Sequence, residues 1–269
     1  MNIKTCPLWQ WILGIIGAFV LAVIGYGLCI WAQELSQSVT VGIVSALVLS
    51  GLYAVFVRIF EKEWAPDVFS TRAPGDLLLG ILIGFLFFCV VVGVMCLAGC
   101  CRVEKLCFNA PAQIEAITLF LGVAVGEEIL FRGVLFKWVD RRWGLAVALI
   151  VSSLVFGLIH ITNDNATLWS SLAIAIEAGL LLGAAYKYSG TLWLPVGIHW
   201  AWNYTQGNIF GFAVSGQGAG DSFLKVVTSG PDLVTGGAFG AEASVISVVL
   251  GASIAALLVW LYVRKSRQA

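Results

Sequence analysis

The sequence predicts an all-α, polytopic membrane protein in which about eight transmembrane helices enclose a polar intramembrane site. Three observations predict it. The 269 residues are 60% hydrophobic and only 11% charged, against about 25% charged residues in an ordinary soluble domain. Mean hydropathy is +0.96. Apolar stretches recur along the whole chain, each close to the roughly 20 residues that cross about 30 Å of hydrocarbon at about 1.5 Å per residue.

In chain order these stretches are 8-32, 39-60, 77-100, 116-139, 145-162, 170-190, 191-212 and 243-263. The first is too long for a signal-peptide core and lacks a small-residue cleavage pattern, so it counts as a span. The sixth and seventh are parted only by "KYSGTL", where Gly190 supplies the break. The connection 61-76, "EKEWAPDVFSTRAPGD", reads as an ordinary polar turn region. The longest polar interval, 213-242, is rich in Gly and carries no recognisable ligand set, so it reads as a flexible connection or a lid. No second soluble domain fits, leaving one integral membrane domain over 1-269. The small-residue pairs Gly122/Gly126 and Gly179/Gly183 predict close helix packing.

Charge sets orientation and excludes one function class. Fifteen basic and fifteen acidic residues cancel, and no basic run is present, so nucleic acid is not an expected partner. Eleven of the fifteen Lys and Arg fall in the terminal and alternate connecting segments. Only Arg102, Lys105 and Lys225 fall in the others, and Arg132 lies within a span. The bias places both termini in the cytoplasm. Cys96, Cys100, Cys101 and Cys107 cluster at the outer end of the third span, where a disulfide would form on an oxidising face, though Cys is also a small apolar filler.

The site is announced by "VAVGEEILFRGVLF", which puts Glu127, Glu128 and Arg132 inside one apolar span. Each charge near the bilayer centre costs on the order of 3 kcal/mol on insertion scales, so such groups persist mainly where they pair or work. Glu128 and Arg132 are four apart and share a helix face as an ion pair, while Glu127 is rotated by about 100°. Glu127 is thus the less compensated carboxylate. The chain's two histidines, His160 and His199, both lie in apolar spans. Asn203 is one turn beyond His199, and Phe156 one turn before His160. A carboxylate and an imidazole can take a proton from water, and a second imidazole with an amide can stabilise an oxyanion. The same Glu127, His160 and His199 would equally make a Glu-His-His set for a divalent metal such as zinc, although HExxH spacing is missing. Glu177, Trp200 and Trp202 complete the candidate cavity residues.

Three motifs carry a resemblance. "EEILFR" at 127-132 resembles EExxxR, "FGLIH" at 156-160 resembles FxxxH, and "HWAWN" at 199-203 resembles HxxxN. In that order, on separate apolar helices, they resemble the CAAX protease and bacteriocin-processing family of intramembrane endopeptidases, to which the Ras-converting CAAX endopeptidase belongs. The similarity covers roughly 116-212, the motif-bearing core. It implies that Glu127 with His160 activates water, that His199 and Asn203 bind the oxyanion, and that Glu128 and Arg132 support them. It implies a membrane-associated or lipidated peptide as substrate, membrane lipid as surroundings, and a bacterial cytoplasmic membrane as location. It leaves glutamate-dependent and metal-dependent mechanisms both open. The other readings of the same residues are a proton- or ion-coupled transporter and a non-catalytic immunity or scaffold protein.

Depth is the feature that fits least easily. Glu127 falls near mid-span, but His160 falls near the end of the fifth. Either "DRRWGLAV" runs along the inner surface or the helices are strongly tilted, and the cavity is expected to face inward.

Overall fold

The computed structural model describes residues 7–268 apart from 10, 18, 21, 22, 24–26, 28–38 and 219. Twelve of the 25 residues of the first expected span, 8-32, therefore lie outside the described residues. The remainder is a helical bundle: α1 (Val39–Phe60), α2 (Ala73–Leu97), α3 (Ala110–Glu128), α4 (Lys137–Trp143), α5 (Leu145–Ile159), α6 (Leu168–Ile174), α7 (Leu180–Ser189), α8 (Trp193–Tyr204), the single turn α9 (Asp232–Thr235) and α10 (Val245–Ser266). Five helices among the described residues are long and apolar enough to cross a membrane: Thr40–Phe60, Ala73–Leu97, Leu145–Thr162, Leu168–Ser189 and Val245–Ser266. The other two expected spans, around Glu127 and His199, belong to the helices that carry the polar motifs.

Local sequence explains where the elements start and stop. Asn109 caps α3 by accepting the Ala112 N–H, and Pro111 sits in its first turn, where the missing N–H costs nothing. Thr167 and Ser170 form a reciprocal capping box on α6. Gly144 (φ +86°) ends α4, and Gly190 (φ +73°) ends α7 in the left-handed region. These two glycines make the sharp turns that set α5 and α8 going back through the bundle.

Three helices widen into π turns: Ile129–Phe136 between α3 and α4, Ala175–Gly179 between α6 and α7, and Thr205–Ile209 after α8. Such turns shift side chains around the axis and loosen the i→i−4 ladder, and they cluster at functional sites. All three adjoin polar residues that the sequence singled out or, for Gln206 and Asn208, that it passed over.

Burial separates the centre from the rim. The helix Leu168–Ser189 is 72% buried inside the protein over its most apolar window, whereas the other four candidate spans are only 22–33% buried. The remainder of their apolar surface, including Leu78, Leu82, Leu86 and Val90 on α2, is exposed and suited to lipid. Contact between α2 and α8 is backbone to backbone. A Cβ on Gly80 would collide with the Leu194 carbonyl, one on Gly84 with the Ile198 carbonyl, and one on Gly197 with the Leu77 carbonyl. Gly179 packs likewise on Ser153, and Gly122 lies over Gly42, in keeping with the packing expected of small residues. Gly84→Val should therefore force α2 off α8 and cost about 1–3 kcal/mol, seen as a lowered thermal midpoint in detergent. An unchanged midpoint would mean that the two backbones need not touch.

One end of the bundle is tied by a buried ionic cluster. Asp67 Oδ2 accepts from Tyr53 (2.7 Å), Tyr186 (3.0 Å) and Lys137 (3.1 Å). Glu61 Oε2 pairs with Lys137 (2.9 Å) and Arg141 (2.7 Å), while Trp138 donates to Glu61 Oε1. The connection 61-76 is thus pinned across α1, α4 and α7 rather than being a loose turn region. The opposite end carries the only ribbon among the described residues. There β1 (Cys101–Leu106) pairs antiparallel with β2 (Leu224–Thr228), Cys101 opposite Thr228, with an irregularity between Val103 and Lys105. The five described cysteines, Cys89, Cys96, Cys100, Cys101 and Cys107, are unbridged.

Candidate active site

Between the ribbon end and the middle of the bundle lies a cavity of about 750 Å³. Its lining runs down α3 from Ala112 to Glu127 and includes Phe156, His160, His199, Trp202 and Asn203. All four residues assigned to catalysis by the motifs thus meet in one space. Much of the remaining wall comes from Phe212 and the long interval that follows it: Val214, Ser215, Gln217, Gly218, Gly220, Asp221 and Glu242. Of the alternatives for that interval, the structure therefore has the lid. Asn163 donates to the Ser215 carbonyl (2.9 Å), and the Gly216 N–H donates to the Phe239 carbonyl (2.8 Å), fastening the lid to itself and to the turn after α5.

Apart from Ile159 at the end of α5, the exposed lining residues, Glu115, Gln217, Gly218, Gly220 and Asp221, sit at the ribbon end. The mouth is there, opposite the ionic cluster of Asp67, Lys137 and Arg141. That cluster belongs to the segments richest in Lys and Arg. The heights of Glu127 and His160 follow from the helix lengths. Glu127 lies sixteen residues before Trp143, and His160 fifteen after Leu145. At about 1.5 Å per residue, two helices rising from the same turn at Gly144 bring both to nearly the same height. Neither a surface-lying "DRRWGLAV" nor a strong tilt is needed, because "DRRW" ends one helix and "LAV" begins the next.

Glu128 is the organising carboxylate. Its Oε1 accepts from Arg132 Nη1 at 2.9 Å and from His199 Nδ1 at 2.8 Å. The Glu128 and Arg132 side chains are both wholly buried. Arg132 Nη2 reaches the Ala178 and Gly179 carbonyls at 3.4 and 3.3 Å, both in the π turn of the central helix. The guanidinium also lies 4.5 Å over the Phe156 ring, a cation–π contact of the kind strengthened by desolvation. Phe156 in turn packs on both imidazoles, with centroids 5.0 Å from His160 and 6.1 Å from His199. The i,i+4 pair read from the sequence is therefore also what orients His199, a link between two motifs that spacing alone could not show.

Hydrogen bonds fix the two imidazoles differently. His160 Nδ1 lies 2.7 Å from the Phe156 carbonyl, which can only accept, so Nδ1 carries the hydrogen and Nε2 is left with a lone pair in the neutral ring. His199 Nδ1–H faces the Glu128 carboxylate, while its Nε2 lies 3.8 Å from Glu127 Oε2. Two carboxylates beside one ring favour the imidazolium, with an N–H on each nitrogen. The Glu127 side chain keeps 17% exposure where Glu128 has none, so Glu127 is the acid open to the cavity.

The other candidate positions divide. Trp202 lines the cavity and stacks on Phe87 at 4.1 Å. Trp200 does not line it, since its indole turns away to the Ile117 carbonyl at 2.8 Å. Glu177 is wholly buried behind the wall, with neither oxygen hydrogen-bonded. Glu242 was not singled out from the sequence, although it is the one charged residue between Asp232 and Arg264. It is 3% exposed and lines the cavity, its Oε1 accepting the Ser215 N–H. Burial pushes its carboxyl up to about 7, against the donors of Ser215 and Trp202 and the nearby His199.

Among the described residues, no three His, Cys, Asp or Glu side chains converge as metal ligands do. Glu127, His160 and His199 as placed do not make the Glu-His-His set that the sequence left open as an alternative.

Residues 110–205 match the family described as Rce1-like, type II CAAX prenyl endopeptidase Rce1-like. The chain carries an Rce1-like domain. The match supports the CAAX protease family expected from the three motifs, and the matched residues run from the start of α3 through all three motifs into the π turn after α8. The Rce1-like domain thus covers every motif residue lining the cavity, while the lid and Glu242 lie outside it. No curated protein and no solved structure matches the chain.

Proposed function

We propose that this protein is an intramembrane endopeptidase that hydrolyses an internal bond of a membrane-associated or lipidated peptide. The observation that carries the reading is the convergence of Glu127, His160, His199 and Asn203 on one cavity within the Rce1-like domain. A water held by Glu127 and His160 Nε2 loses its proton to them as its oxygen attacks the scissile carbonyl carbon. The oxyanion that forms is met by His199 Nε2–H and the Asn203 amide. Glu128 holds the His199 ring in place and balances its charge, and Arg132 in turn holds Glu128. The apolar wall of Leu119, Phe120, Val123, Ile174 and Leu182 favours an apolar peptide segment over a soluble polar one.

On the Lys and Arg bias both termini are cytoplasmic, and the mouth at the ribbon end then takes substrate from the outer side of the membrane. A transporter would need a second polar opening, and the Asp67, Lys137 and Glu61 cluster ties that end together with buried ion pairs.

The test is cleavage of a membrane-presented peptide library by the purified protein in lipid nanodiscs. Wild type should give defined products, and His199→Ala should lose about 10²–10³ of the rate, the scale of removing an oxyanion donor. A folded wild type that cleaves nothing on either face of the bilayer would sink the reading.

A further inference from the structure

We propose that Glu242, on the lid, is a further catalytic residue, the acid that protonates the leaving amine. The inference rests on the peptidase reading of the same cavity. Peptide hydrolysis needs two proton movements. One takes a proton off water, and the residues for it stand on α3 and at the end of α5. The other gives a proton to the nitrogen as the C–N bond breaks, and an amide anion is too poor a leaving group to depart without it. His160 and Glu127 have to begin that reaction as acceptors. Glu242 lines the same cavity.

Three observations suit it to the role. Its carboxyl is 3% exposed yet faces the cavity, so it can meet a substrate while bulk water cannot strip its proton freely. The Ser215 N–H and the Trp202 indole N–H both donate to it, so the carboxylate left after proton transfer has two partners waiting. Behind it stands Glu177, which lies within its electrostatic reach and has no hydrogen bond to either oxygen. Two buried carboxyls side by side resist holding two negative charges. Nothing in the water-activating or oxyanion-binding steps uses this pair. The titratable groups that act on Glu242 are Glu177 from the central helix and His199 from α8, and Glu115, Glu127, His160 and Asp221 line the same cavity.

The step balances. As the tetrahedral intermediate collapses, the C–N bond breaks and the nitrogen lone pair takes the Glu242 proton. The products are a carboxylic acid and an amine, and Glu242 is left as carboxylate. The proton earlier taken from water by Glu127 and His160 is released through the mouth, and Glu242 is reprotonated by the same route, so no net proton is consumed by the enzyme.

Donation requires the acid form, which is present below the carboxyl's value of about 7 and lost as pH rises through it. The experiment compares wild type and Glu242→Gln on a peptide and on its analogue with a phenolic ester at the scissile bond, whose leaving group departs without a proton. Wild type should lose amide cleavage progressively above about pH 7 and keep ester cleavage. Glu242→Gln should lose on the order of 10² on the amide, show no alkaline limb, and cleave the ester at nearly the wild-type rate. Equal losses on amide and ester, or an alkaline limb that persists in Glu242→Gln, would overturn the proposal in favour of a lid-anchoring role. Should the variant not fold, the wild-type comparison decides alone, because the same alkaline limb on both substrates overturns it too. A folded wild type that cleaves neither substrate fails the peptidase reading itself, and the proposal with it.

Discussion

Glu127→Gln should abolish measurable peptide cleavage, with a loss on the order of 10³ in kcat, or about 4 kcal/mol of transition-state stabilisation. Glutamine keeps the volume and a carbonyl oxygen but cannot accept the proton that water gives up. Its neighbour His199 would then face one carboxylate, Glu128, instead of two. Because Glu127 is part-exposed in the cavity, the substitution removes no wholly buried ion pair, and the thermal midpoint should stay within a few degrees of wild type. The measurement is kcat on an identified peptide alongside thermal unfolding in the same lipid. Cleavage retained above a tenth of wild type would remove Glu127 from the chemistry. A large fall in midpoint with proportionate loss of activity would make it a packing group instead.

Much of this site could be read from the sequence, and the reasons are physical. Charges inside apolar spans are costly enough that Glu127, Glu128 and Arg132 stand out on composition alone, and helical spacing identifies the Glu128–Arg132 pair that is found at 2.9 Å. Both histidines could be picked because neither falls on a polar surface. What spacing could not supply was the relation between helices. The hydrogen bond from His199 to Glu128 joins residues 71 apart. The height of His160 depended on recognising that Gly144 turns the chain sharply, so that one helix extends well beyond its apolar stretch while the next stops at the level of the site. The Gly-rich interval 213-242 carries few chemically distinctive residues, yet it closes the cavity with Val214, Ser215 and Gln217. A lid made largely of small and uncharged residues leaves little trace in side-chain chemistry, and Glu242, at its end, was passed over with it.

Arg132→Met should be the most destabilising substitution in the bundle, costing about 3–5 kcal/mol, because it strands the Glu128 carboxylate in a place with no exposure. It also removes the contacts to the Ala178 and Gly179 carbonyls and to the Phe156 ring. Combining it with Glu128→Gln removes the stranded charge, so the double variant should be more stable than Arg132→Met alone, a non-additivity readable as a coupling energy of about 1–3 kcal/mol in denaturant titrations. Activity should not follow stability. A glutamine at 128 can still accept the His199 Nδ1–H, but it brings no charge to hold the imidazolium that donates to the oxyanion. The double variant should thus fold yet cleave on the order of 10² more slowly. If stability and rate recovered together, the pair would be only a brace between helices, and His199 would need no carboxylate behind it. If the fold recovers and the rate does not, Glu128 has two separable tasks, and Arg132 is there because a carboxylate that must face an imidazole inside a membrane needs a cation on its other side.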